Sequence, residues 1–274
     1  MRIGEVLGND GRFVLLAGPC VIESPEGAEE IAEKIGRTAD RLGIDFYFKA
    51  SWDKANRTKA SNYRGPGLEE GLRILGAIKE RLGVKIVTDI HEPWQAAPVA
   101  QVADMLQIPA FLCRQTDLLK AAADTGRAVN VKKAQFMSPE EMENVVDKLV
   151  SFRNERILLC ERGTCFGYND LVVDMAGLVR LAALGQPVIF DATHSVQIGG
   201  GGPGHGNSGR REFVPYLARA AMATGVVDGI FMEVHPDPDR ALCDGSCMLE
   251  LDRLERLLEQ LLEIRAVGRK YMEP

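Results

Sequence analysis

The sequence predicts an α/β protein built as a single (β/α)8 TIM barrel, on three observations. Its 274 residues suit one large domain of this architecture. Short apolar, β-rich runs alternate with stretches of helical periodicity, eight times over. Residues with chemistry to offer gather at the ends of those runs, where the loops of one barrel face build a site. The composition agrees: 46% hydrophobic, 26% charged and 28 glycines describe a globular chain, neither disordered nor fibrous.

The first segment, "MRIGEVLGNDGRF", lacks the basic start and apolar run of a secretory signal, and no later segment approaches a membrane span. A cytoplasmic protein without membrane partners is expected. A short N-terminal β-hairpin is expected around "LGNDG", followed by strands at residues 13–17, 44–48, 85–88, 105–108, 128–131, 156–159, 188–190 and 229–232. Stretches such as "SPEGAEEIAEKIGRTADRLG", "GPGLEEGLRILGAIKERLG", "SPEEMENVVDKLVSF" and "REFVPYLARAAMATG" repeat their apolar residues at helical spacing. From about residue 249 "LDRLERLLEQLLEIRAVGRKY" keeps its leucines on one stripe, a helix packed on the barrel wall and too short for a coiled coil. With no internal repeat and no linker, residues 1–274 form one catalytic domain. The glycine-rich run 199–209 follows the seventh strand. It has no GK[ST] and does not open a helix directly after a strand, so it is neither a Walker loop nor a dinucleotide fingerprint, and a mobile loop over the barrel mouth is expected.

A formal charge of −6 argues against a nucleic-acid surface and leaves anionic small molecules as partners, provided cations are concentrated locally. The six cysteines form no CxxC pair and, in a reducing compartment, no disulfides. Each needs its own explanation.

Strand tip by strand tip the chain presents Cys20; Lys49 with Lys54 and Arg57; Asp89 with His91; Gln107 with Arg114; Lys132 with Lys133; Glu161 with Arg162; Asp191 with His194; and Glu233 with His235. A single lysine or glutamate in such a place is ordinarily a solvated loop residue; the coincidence over eight strands is the signal. Lys49, Lys54, Arg57, Arg64, Lys132, Lys133 and Arg162 suit substrates that carry phosphate and carboxylate. Cys20, His194 and Glu233 come from strands one, seven and eight, which adjoin when the barrel closes. One sulfur, one nitrogen and one carboxylate, with Asp244 as a fourth ligand, make a divalent metal site unlike a magnesium cage or a closed structural zinc site. Cys243 and Cys247 flank Asp244 closely enough to be alternative ligands. Cys113, Cys160 and Cys165 are expected to be packing or loop thiols, as free cysteine behaves as a small hydrophobe.

Over nearly its whole length the chain resembles the 3-deoxy-D-manno-octulosonate 8-phosphate synthases. The passages that carry the resemblance are "AGPCVIES", "FKASWDKANRTKASNYRGPGLEEGL", "TDIHEPWQAAPVAQVADMLQIPAFLCRQTDLL", "VNVKKAQF", "ERGTCFGYNDLVVDM" and "FDATHSVQ". It implies an eight-fold barrel, a homotetramer, and an aldol-type condensation of phosphoenolpyruvate with arabinose 5-phosphate and water that releases phosphate, a step of lipopolysaccharide biosynthesis. By motif, Lys133 and Arg162 match ligands of the phosphoenolpyruvate phosphate and Lys54 a carboxylate ligand, with Gln107 in the same subsite. Lys49 and Asn56 lie near the reacting carbonyl. Arg57 and Thr58 match the pair that binds the sugar phosphate, with Arg114 reaching in from a neighbouring subunit. The residue after the first-strand proline is cysteine in the metal-dependent branch and asparagine in the metal-independent one. Cys20 therefore implies a divalent ion (Fe2+, Zn2+, Mn2+ or Co2+) held by Cys20, His194, Glu233 and Asp244, with Cys20, Lys49, Asn56 and His194 as the catalytic group.

Two other chemistries fit the pattern less well. A 3-deoxy-arabino-heptulosonate 7-phosphate synthase, which takes erythrose 4-phosphate, has a KPRTS-like motif where this chain reads "DKANRT". A Schiff-base aldolase would use Lys49 or Lys133 as its imine lysine. A barrel that only binds sugar phosphates would not need the metal ligands.

Overall fold

A computed structural model describes residues 1–166, 171–198 and 208–272. The glycine-rich run 199–207, expected to lie over the mouth, and residues 167–170 fall outside them. Eight parallel strands form the barrel: β1 (Val14–Gly18), β2 (Asp45–Lys49), β3 (Lys85–Asp89), β4 (Met105–Ile108), β5 (Ala128–Lys132), β6 (Ile157–Glu161), β7 (Val188–Asp191) and β8 (Val227–His235). Each pairs in parallel with the next, and β1 closes the circle against β8. Seven of the expected strands are displaced by no more than about two residues at either end, which is the ordinary uncertainty of a boundary; β8 runs further, because its outer end also pairs with Leu249–Glu250.

Alternation along each strand sorts the core into two layers. Leu15, Ala17, Ile230 and Met232 pack outward against the helices, whereas Val14, Leu16, Val87, Met105, Leu158 and Phe231 fill the barrel itself. The strands therefore read as continuous apolar runs, being buried on both faces.

The chain reverses through Gly8 and Gly11 where the hairpin was expected, both at positive φ, but the arm before it is a helix, α1 (Ile3–Leu7), rather than a strand. Ile3, Val6 and Leu7 recur at i, i+3 and i+4, a helical period, and join the interior layer as a plug under the barrel. The outer ring is α2 (Pro25–Leu42), α3 (Leu68–Leu82), α4 (Ala96–Ala100), α5 (Thr116–Asp124), α6 (Glu143–Ser151), α7 (Met175–Ala182), α8 (Val214–Ala223) and α9 (Leu254–Lys270). The Ser24 side chain caps α2 by accepting from the Gly27 amide at 3.1 Å, with Pro25 in the first turn and Gly43 ending it at φ 67°. The last helix starts later than expected, after Leu249–Glu250 and a turn at Leu251–Arg253. Among the described residues no helix is long and apolar enough to cross a membrane.

At the β1–β8 closure Gly18 is the register partner of Glu233. A methyl group on Gly18 would stand 2.1 Å from the Lys49 carbonyl oxygen, so only glycine admits β2 this closely to the seam. Two residues past Gly18, on the same side of the strand line, comes Cys20.

Candidate active site

The C-terminal ends of the strands surround a cavity of about 440 Å³. Lys49, Lys54, Asn56, Arg57, Thr58, Gln107, Arg162, His194, Glu233 and Asp244 all border it, as do Asp89, His91 and Lys132. Ten of the thirteen residues expected in the site thus meet at one mouth. Cys20 is buried just beneath, against Asp244, and Arg114 and Lys133 lie elsewhere.

Lys133 does not border this cavity. Asn130 and Lys132 share the inward side of β5, and the Asn130 amide donates to Gln107 inside the barrel at 3.0 Å. By the same alternation Lys133 turns outward into the wall. It is fully buried, and its ammonium donates to the carbonyls of Ala134 and Met137 and to Thr164 Oγ1 at 3.1–3.2 Å, with Glu161 at 3.5 Å. No donor remains to face a substrate in the cavity. The lysine that does face it is Lys132, whose ammonium lies 3.5 Å from the centre of the Phe231 ring and 2.5 Å from Asp191 Oδ2.

Arg162 supplies the second cation on this side. Nη2 donates to Gln197 Oε1 at 2.7 Å, and Nη1 is buried with no hydrogen-bond partner, a donor left for an anion. Across the cavity Lys49 lies 3.2 Å from Asp89 and 2.8 Å from Ser51 Oγ. Asp89 also accepts from Gln107 Nε2 at 2.5 Å and from Ser51. Burial works against the Asp89 carboxylate, yet the Lys49 and Lys54 charges outweigh it and hold it well below the usual range. Burial likewise opposes the charge of Lys54, and the acidic groups around it, Glu233 and Asp89 among them, outweigh that and raise its pKa. Arg57 leans on the loop after β8, donating from Nη1 to Cys243 Sγ at 2.7 Å. Arg64 instead forks onto Asp53 at 2.6 and 2.8 Å and stays exposed outside the cavity. His91 packs edge-on against Trp52, and burial pushes its pKa down, so it is neutral. His235 stands apart, 3.6 Å from Glu23.

Cys20, His194, Glu233 and Asp244 converge beside this cavity. His194 Nδ1 lies 2.8 Å from Asp191 Oδ2, and its backbone amide donates to Asp191 Oδ1 at 2.9 Å. Burial opposes the charge on Asp191, but His194 and Lys132 hold its pKa far below the usual value; an ionised carboxylate only accepts, so the proton sits on Nδ1. Nε2 faces Glu233 Oε2 at 3.5 Å and Asp244 Oδ2 at 3.9 Å. Cys20 Sγ is 3.5 Å from the same Asp244 oxygen. The Glu233 carboxylate is 1% exposed, and neither of its oxygens has a hydrogen-bond partner. Burial, the contact with Cys243 and the charge of Glu233 push the Cys20 thiol well above its ordinary value. Lys49 Nζ is 3.7 Å from Glu233 Oε1, and a divalent cation would add a ligand bond to that carboxylate and favour the Cys20 thiolate. The donor set fits such an ion.

Asp191 and Lys132 stand among these residues, and Cys243 touches Cys20. The first two were legible in strand parity. Cys247, Cys113 and Cys160 are buried and Cys165 exposed, and all six cysteines are free thiols.

The DAHP synthetase I family matches residues 2–269 of the chain. A 2-dehydro-3-deoxyphosphooctonate aldolase of Cyanothece sp. is 56% identical over 259 residues, covering 94% of each chain. Its counterpart in Fusobacterium nucleatum subsp. nucleatum is 56% identical over 265 residues, 96% of this chain and 95% of that one. The protein of the same name in Geobacter sulfurreducens is 54% identical over 268 residues, 97% and 98% of the two chains.

Proposed function

The chain belongs to the DAHP synthetase I family, and from that premise we infer that it condenses phosphoenolpyruvate with D-arabinose 5-phosphate and water, giving 3-deoxy-D-manno-octulosonate 8-phosphate and inorganic phosphate. A phosphooctonate, the word in the relatives' names, is an eight-carbon acid. Three carbons from phosphoenolpyruvate leave five for the aldehyde, which selects arabinose 5-phosphate over erythrose 4-phosphate. One structural observation supports the reading: Lys132 and Arg162, together with Lys54 and Arg57, border one cavity. Two phosphorylated substrates require such cations.

In this reading C3 of phosphoenolpyruvate bonds to the aldehyde carbon, whose oxygen takes up a proton. Water adds at C2, and phosphate leaves from the resulting tetrahedral carbon. Lys132 and Arg162 hold the phosphate of phosphoenolpyruvate and Lys54 its carboxylate, with Gln107 and Lys49 completing the subsite. Asn56, Arg57 and Thr58 receive the sugar phosphate. Fixing two anions at contact distance supplies the orientation that the bimolecular step lacks in water. The ammonium groups lower the cost of charge developing on the departing phosphate.

Cys20, His194, Glu233 and Asp244 would hold the divalent ion, Fe2+, Zn2+, Mn2+ or Co2+. Bound there, it acts as a Lewis acid for the aldehyde or the water. Asp191 is a positioning residue, fixing the His194 tautomer while it steadies Lys132. Asp191→Asn should weaken cation binding by roughly 10- to 100-fold, read by titration against a chelator of known affinity. Unchanged affinity would remove Asp191 from that role.

Arg114 is exposed and does not border its own cavity, which supports its reaching a neighbouring subunit of a homotetramer. Six free thiols are consistent with a cytoplasmic catalytic domain spanning residues 1–274. An imine mechanism finds little support, since Lys133 is walled in and Lys49 is paired with Asp89.

Phosphate release from phosphoenolpyruvate tests the reading, with each aldehyde in turn. Arabinose 5-phosphate should give turnover at least about tenfold faster than erythrose 4-phosphate, the discrimination one well-used contact provides. The reverse order, or no release with either sugar, would refute it.

A further inference from the structure

Cys243 has no role in the proposed reaction, yet it lies against the proposed metal ligands. Its Sγ is 3.0 Å from Cys20 Sγ, and Cys20 Sγ is 3.5 Å from Asp244 Oδ2. The ligand atoms of Cys20, Cys243 and Asp244 lie within 4.8 Å of one another, as do those of His194, Glu233 and Asp244. The two triads share Asp244.

Neighbouring residues on an extended chain point to opposite sides, so Cys243 and Asp244 would not ordinarily reach one centre. Asp244 adopts φ 47°, a left-handed conformation that breaks the alternation. The bend turns consecutive side chains to the same point. Arg57 Nη1 donates to Cys243 Sγ at 2.7 Å, and because a guanidinium can only donate, the sulfur is the acceptor in that contact. An acceptor sulfur is presenting electrons, as a ligand does. Independently, the buried Glu233 carboxylate, which has no hydrogen-bond partner and has Lys49 Nζ 3.7 Å away, joins His194 around the same Asp244, which favours a cation site over a packed pair of thiols.

We propose that Cys243 is a second sulfur ligand of the divalent cation, so that the site is a two-thiolate centre selecting soft ions over hard ones. The inference rests on the metal reading above and extends it. Thiolates favour Zn2+ over Mn2+, which prefers oxygen. Cys243 is thus a specificity-determining residue for the metal.

The test uses reduced, full-length protein stripped of metal and refilled with one equivalent of Co2+, whose sulfur-to-cobalt absorption in the near ultraviolet scales with the number of sulfur ligands. Cys243→Ser and Cys20→Ser should each retain roughly half of the wild-type absorption. In competition titrations Cys243→Ser should narrow the preference for Zn2+ over Mn2+ about tenfold. X-ray absorption of the wild-type Zn2+ form needs no variant and should count two sulfur neighbours. One sulfur neighbour, or full absorption in Cys243→Ser with none in Cys20→Ser, would overturn the inference and leave the four-ligand site standing. No sulfur-to-cobalt absorption in the wild type, with phosphate release intact, would remove the metal reading too and spare the condensation.

Discussion

Lys132→Met should lower kcat/KM for phosphoenolpyruvate by about 100- to 1,000-fold, the cost of losing one donor aimed at developing charge, and should leave the protein folded. Lys133→Met has the opposite profile. The two lysines are adjacent and chemically identical, and only the pleat of β5 separates their fates. Lys132 borders the cavity, where water can reach the vacated place, and Asp191 keeps its contacts with His194 and the amide and hydroxyl of Thr193. Lys133 is enclosed, and its removal orphans the Ala134 and Met137 carbonyls and takes a cation from beside Glu161. Breaking such a buried group costs roughly 3–5 kcal/mol, which for a chain of this size lowers Tm by about 5–10 °C. Steady-state kinetics and thermal melting of the two variants read the contrast directly. A Lys133→Met protein with normal stability and lost phosphoenolpyruvate binding would restore the motif-based assignment.

Removing the divalent ion should slow phosphate release by about 100-fold or more, the equivalent of the several kcal/mol that Lewis-acid catalysis supplies, and Zn2+, Mn2+, Fe2+ or Co2+ should restore it. Cys20→Ala should behave as the stripped enzyme and should not recover at metal concentrations that restore the wild type. The pairing matters because a chelator acts on the solution and the variant acts on one atom. Metal analysis of both samples closes the comparison. Wild-type activity indifferent to verified metal loss would leave Cys20 a buried thiol and the cations as the working machinery.

Most of the frame was legible because strands buried on both faces are apolar throughout and short, while the helices between them keep their polar stripe. Ala128–Lys132 and Ile157–Glu161 could hardly be anything else. The N-terminal arm was less legible than its turn, because glycines mark the turn while the helical spacing of Ile3, Val6 and Leu7 rests on a single turn of chain. Cys20, His194 and Glu233 were recoverable from strand order alone, since closure makes strands one, seven and eight neighbours. The motif "VKK" was read as a string, and a string carries no side; adding the two-residue period of the strand assigns Lys132 inward at once. Two features had no linear signal. The left-handed turn at Asp244 depends on the packing of the loop after β8, and Asp191 gains its role only when His194 folds back over it.

The register partnership of Gly18 with Glu233 has a consequence for the chain's biosynthesis. The proposed ligands are far apart in sequence, so on a growing chain Cys20 emerges well before Glu233 and Asp244. A chain that stops before residue 233 lacks two of the four proposed ligands and much of the strand that closes the barrel. An ion that binds only the closed barrel stabilises it by mass action. Metal occupancy would then be a mark of completion, borne by finished molecules and denied to truncated ones.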